Sequence, residues 1–187
     1  MKRQQTNLTF PIVLLLGLIL GNVLSAQEIP SNFEFKRETG QVSGAPIFSL
    51  RPSVEAMTYD MTLGSTFEAL GLLVQPDRNK YGVLFFNAKK TYEFVNSRDK
   101  SCLLQIDGSK TNFSSFTHLG KGKAGMLRLE TVMINLDKDV FWKLMAADDV
   151  VARCGKVFYN LDQDNIDAFR YFASEVKKDL ERRKIKI

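Results

Sequence analysis

The chain has 187 residues, a formal net charge of +5, two cysteines and one histidine. Without Lys2 and Arg3 the charge is +3, and the stretch from Lys177 to Ile187 holds +4, which leaves the body from Gln27 to Val176 near −1. A near-neutral body with one basic tip excludes a dedicated nucleic-acid binder. Two cysteines and His118, without CxxC or HxxxH spacing, exclude an ordinary metal site.

Lys2 and Arg3 open the chain, an apolar run follows from Phe10 to Leu24, and Ser25 and Ala26 supply small residues. This order is that of a secretory signal peptide over residues 1–26. The run is interrupted by Gly17, Gly21 and Asn22. It falls short of the about 20 apolar residues that a membrane span needs. An uncleaved N-terminal anchor is the alternative reading. The expected location is periplasmic or extracellular, with no membrane span after leader removal.

Residues 27–53 hold Pro30, Gly40, Gly44, Pro46 and Pro52 around short apolar pieces, which reads as a loosely ordered N-terminal segment with one strand. From residue 54 to 187 the pattern is that of a single β-rich domain. Met57, Tyr59, Met61 and Leu63 alternate with polar residues as a half-buried strand, and Thr66–Val74 reads as its return, with a Glu-Ala-Leu content that also permits a helix. Tyr81–Phe86 is a strongly apolar strand, Asn87–Lys90 reads as a turn, and Thr91–Val95 as a further strand. The strand around Cys102 ends at Asp107-Gly108, a dipeptide suited to a tight hairpin. Thr111–His118 follows as a strand, Gly120–Gly125 as a flexible loop, and Met126–Leu136 as another strand.

Over residues 137–182 the period changes. Asp137 is placed to cap a helix over 138–147, Val150–Cys154 and Val157–Tyr159 form a hairpin, and Asp162 is placed to cap a final helix. Ile166, Phe169, Phe172, Ala173, Val176 and Leu180 form one apolar stripe on that helix, suited to docking on a sheet. Residues 183–187 make a basic tail whose cations suit the helix C-terminus. The expected fold is α+β: a mainly antiparallel sandwich or barrel-like body (54–136) with a helix–hairpin–helix packed on it.

Alternation turns both Cys102 and Cys154 inward, and an oxidising compartment makes them a candidate disulfide. Chain entropy gives such a bridge about 4 kcal/mol. Gly120 to Gly125 match G-x-G-x-x-G, but the next segment reads as a strand and not the helix that a dinucleotide fingerprint requires. His118 must carry any imidazole catalysis, yet no G-x-S-x-G elbow accompanies it. Asp148 and Asp149, and Asp162, Asp164 and Asp167, offer carboxylate pairs, of which Asp162 and Asp164 are explained as helix-start residues. Asn112-Phe113-Ser114 is a formal glycosylation sequon, which places Asn112 at the surface. Tyr81, Phe86 and Tyr92 cannot all be buried on one face, so part of a sheet surface should display rings.

No catalytic, cofactor-binding or metal residue is assigned, and no cofactor is expected. The sequence reads as an exported, non-catalytic binding or structural module whose partner is a protein or envelope component. The alternatives are a hydrolase using His118 or carboxylates, and a carrier holding an apolar ligand between sheet and helices.

Overall fold

A computed structural model describes residues 28–40, 44–57 and 66–184. The protein is α+β, with two antiparallel sheets and a C-terminal helix. Its strands are β1 (Phe33–Thr39), β2 (Pro46–Pro52), β3 (Phe67–Gln75), β4 (Lys80–Lys89), β5 (Cys102–Ile106), β6 (Ser109–Phe113), β7 (Thr117–Ala124), β8 (Leu127–Leu136), β9 (Val150–Cys154) and β10 (Val157–Asn160). The helices α1 (Lys138–Ala146) and α2 (Gln163–Arg182) flank the β9–β10 hairpin in sequence. The larger sheet has the order β1-β2-β3-β4-β8-β7 and the smaller one β10-β9-β5-β6.

Period-two alternation gives the larger sheet two distinct faces. Its inner face carries Phe48, Leu50, Leu72, Val74, Val83, Phe85, Val132 and Ile134, all buried in one cluster with residues of the smaller sheet and both helices. Aromatic edges make the joints between layers. Tyr81 meets Phe141 of α1 at 5.3 Å, Phe85 meets Tyr159 of β10 at 5.2 Å, and Phe35 meets Phe172 of α2 at 5.8 Å between ring centroids. The outer face carries a second, smaller cluster of Phe67, Ala88 and Leu127, with Phe86 and Leu129 packed against it.

Several expectations need correction. The turn formers of residues 27–53 suggest a loose segment, yet β1 and β2 pair along their whole length, from Phe33 opposite Pro52 to Thr39 opposite Pro46. Residues 54–57 are helical rather than strand-like, and Ser53 Oγ accepts a 3.1 Å hydrogen bond from the Ala56 amide at their start. The rest of that expected strand, 58–63, and the turn expected at 64–65 lie outside the described residues, as does the leader of residues 1–26. Asn87 does not begin a turn, because β4 continues through it to Lys89. The expected strand Thr91–Val95 is irregular chain instead, for a reason found in Glu130. The β9–β10 hairpin is no separate unit between helices, because β9 pairs with β5 and joins the smaller sheet. Asp137 stands at the N-cap of α1, but its side chain accepts no capping hydrogen bond.

Glu130 is buried on β8, directly opposite Asn87 of β4. Its carboxylate accepts hydrogen bonds from three consecutive backbone amides, Glu93 at 2.6 Å, Phe94 at 3.0 Å and Val95 at 2.8 Å. These amides belong to the crossing that leaves β4 and enters β5 of the other sheet. A buried carboxylate needs several donors, and a chain segment with no ladder partner needs acceptors, so each satisfies the other. Phe94 is thereby held in the core against Phe116, 5.7 Å away. Further on, Cys102 and Cys154 face each other across β5 and β9, with their sulfur atoms at a disulfide distance of 2.11 Å.

Replacing Glu130 by Ala leaves three amides without their acceptor and should cost about 3–5 kcal/mol of unfolding free energy. A urea midpoint unchanged from wild type would contradict this account of the crossing. Alkylation of the denatured, unreduced protein should label no thiol, and two labelled thiols would remove the Cys102–Cys154 bridge.

Candidate functional site

On the outer face of the larger sheet Leu73, Phe86 and Leu119 stay partly accessible, while Leu84 and Met133 between them are buried. Phe141 and Phe172 show both helices to be laid on the inner face, and Tyr159 places β10 there too. On the outer face, Arg51, Leu73, Leu84, Phe86, Leu119, Gly120 and Thr131 line a mainly apolar groove of about 260 Å³. These residues come from β2, β3, β4, β8 and β7, so the groove runs across the strands from Arg51 at one end to Leu119 at the other.

Local sequence features shape it. Gly71 of β3 lies on this face, and a Cβ there would stand 2.5 Å from the Leu50 carbonyl oxygen and 2.8 Å from the Phe86 ring. The absence of a side chain therefore lets Phe86 lie down over β3. On β7 the ladder to β8 shifts register between His118 and Gly120, which leaves Leu119 as the extra residue of a bulge. A bulge re-aims the side chain it carries. Leu119 accordingly lines the groove while remaining 49% exposed. Beside it, a Cβ on Gly120 would meet nothing within 4 Å, so the glycine keeps that part of the groove open.

Arg51 is the charged member of the lining. It is exposed, and among the described residues it makes no ion pair. Elsewhere Glu68 pairs with Lys89 at 2.6 Å, and Asp179 with Arg37 and Arg183 at 2.9 and 2.8 Å.

Other depressions are more polar. One of about 180 Å³ between β3, β10 and the start of α2 is lined by Glu68, Tyr159, Asn160, Asp162 and Asn165, with the exposed ring of Phe158 beside it. Burial, followed by the nearby charges of Glu68 and Glu130, pushes the Tyr159 phenol well above its ordinary range. The phenol is held as a neutral donor towards the Phe86 carbonyl, 3.4 Å away. A shallow depression of about 430 Å³ between the β5–β6 hairpin and α1 is lined by Asp107, Ser109, Thr111, Val140 and Lys143.

The residues singled out in the sequence do not converge. His118 lies exposed on the edge strand β7, while Cys102 is buried in the other sheet. Among the described residues the His118 side chain makes no hydrogen bond or ion pair, although its backbone pairs with Val132 of β8. Gly120 to Ala124 form the second half of β7, not a flexible loop, and the chain turns only at Gly125 and Met126. Asp148 pairs with Arg170, and the amides of Asp148 and Asp149 both donate to the Asp107 carboxylate at 3.0 Å. Asn112 is exposed, as the sequon reading requires. Among the described residues no group of three or more His, Cys, Asp or Glu side chains is arranged to hold a metal ion, and no helix is long and apolar enough to cross a membrane.

Asp162 caps α2 as expected, accepting from the side-chain and backbone nitrogens of Asn165. Those two bonds, the side-chain one first, hold its carboxyl below the ordinary aspartate value. A depressed folded value means that the cap's contribution is present above the unfolded value and is lost as pH falls through the folded one. Asp162→Ala should therefore cost about 1 kcal/mol near neutral pH. That cost should shrink below about pH 4, where the unfolded carboxyl also protonates. Paired urea titrations at neutral and acid pH check both statements, and a penalty that persists undiminished in acid would contradict the charged cap.

No family model, curated protein or solved structure matches this chain.

Proposed function

We propose that this protein is a small, exported, non-catalytic binding module, and that it holds an envelope or extracellular component on the outer face of its larger sheet. The apolar groove from Arg51 to Leu119 carries the reading. A groove with apolar walls and a few convergent polar groups is the usual form of a ligand site. The bulge at Leu119 favours it further, since bulges are enriched beside functional sites.

The basic start, apolar middle and small-residue end of residues 1–26 support export. Thiols at disulfide distance are compatible with an oxidising compartment. Two other readings have less behind them. Hydrolysis by His118 would need an acceptor and a carboxylate beside it, and among the described residues its side chain has no polar partner. Of the candidate carboxylates, Asp148 pairs with Arg170 and Asp162 caps α2. Carriage between sheet and helices would need space there, and that interface is filled by Phe85, Phe141, Phe169 and Phe172, each at most 1% exposed.

A photo-reactive phenylalanine analogue at position 119, activated in the host, tests the proposal. One discrete adduct is expected, lost when Gly120→Leu fills the groove and absent from a probe at Lys110 on the β6 edge. Equal labelling from positions 119 and 110, or none from either, would overturn it.

A further inference from the structure

The groove also defines the shape and charge of what it holds. We infer that it is a site for one slender, linear acyl chain ending in a carboxylate, with the chain across the strands and the head group at Arg51. This inference rests on the binding-module reading.

Shape comes first. From β2 to β7 the groove crosses four strand intervals, about 19 Å at about 4.8 Å each. Its volume of about 260 Å³ lies below the range of about 300–1,000 Å³ typical of sites for compact drug-sized ligands. A small volume bordered by side chains from five strands leaves little room for fused rings or paired chains, and so for a whole two-chain lipid. It suits a single extended chain.

Chemistry then selects among extended chains. Leu73, Leu84, Phe86 and Leu119 offer hydrocarbon, while Thr131 brings the only side-chain hydroxyl to the lining. A peptide laid there would leave its amides largely unpaired, because the strands beneath already bond to one another. An acyl chain has no such groups to satisfy. Arg51, exposed and without an ion pair among the described residues, stands at the β2 end, where a terminal carboxylate completes the charge. At the β7 end the bulged Leu119 closes the apolar wall.

The test is titration of the purified protein with saturated fatty acids from decanoate to palmitate, below their micelle concentrations, followed by backbone NMR shifts and calorimetry. Saturable binding with shifts at Leu73, Phe86 and Leu119 is expected. Affinity should rise about twofold per added methylene, half the gain of full burial, until the groove is spanned. Arg51→Gln should weaken carboxylate binding about three- to fivefold, as for an exposed ion pair, and leave binding of the matching fatty alcohol unchanged. The alcohol thereby separates a lost charge from a damaged fold. Gly120→Leu should weaken both ligands.

Equal carboxylate affinity in wild type and Arg51→Gln would overturn the assignment of the head group. Absence of saturable binding by any chain, with a discrete protein adduct still formed from position 119, would overturn the acyl ligand and leave the binding module standing. Absence of both would overturn both.

Discussion

A six-stranded sheet has two broad faces, and among the described residues both helices and the smaller sheet are laid on one of them. They meet the inner face, where Phe48, Leu50, Leu72, Val83 and Phe85 are fully buried. Much of the structure follows from that one-sided coverage. The inner face takes large residues that lock with aromatic edges from three other elements. The outer face has a thinner apolar layer in which Phe86 lies flat over Gly71, and the thiol pair, caps and buried carboxylate all serve the inner side. The proposed binding groove lies on the other side.

One-sided coverage requires the chain to pass from one sheet to the other, and a passage between sheets has no ladder to satisfy its backbone. Glu130 resolves this. A single carboxylate takes three successive amides from the crossing and draws Phe94 inward. The same rank of the sheet holds Glu68, Asn87 and Lys121 beside Glu130, so a polar layer crosses the sheet beneath the crossing. Asn87 within that layer is buried with both amide atoms unpaired among the described residues, and we have no physical account of it.

Period-two alternation made the apolar strands readable: β8 and the β9–β10 hairpin fall where alternation places them, while β4 starts there but runs on past Phe86 to Lys89. Asp107-Gly108 turns as the dipeptide implies, with φ of 46° and 81°. The α2 stripe from Ile166 to Leu180 is buried, as its spacing requires. Misreadings arose where a distant partner decides local structure. Thr91–Val95 alternates like a strand, but its amides are claimed by a carboxylate more than thirty residues away. Gly120 to Ala124 look like a loop by composition, yet pairing with β8 makes them a strand. The groove was legible only in part. The rule that Tyr81, Phe86 and Tyr92 cannot share one buried face separates Phe86 from Tyr81, and Phe86 lines the groove half-buried on the outer face. Arg51 and Leu119 carry no local signal, because a strand order and a bulge bring them into one groove.

The proposed groove requires Leu73 and Leu119 of the outer face to be open to solvent while the inner face is sealed. A soluble paramagnetic relaxation agent, read at assigned leucine and valine methyl groups, tests this most directly. Strong broadening at Leu119 and Leu73, with Leu72 and Val83 untouched, is the result the account predicts. Protection of Leu119 and Leu73 equal to that of Leu72 would show the outer face to be covered and would contradict it.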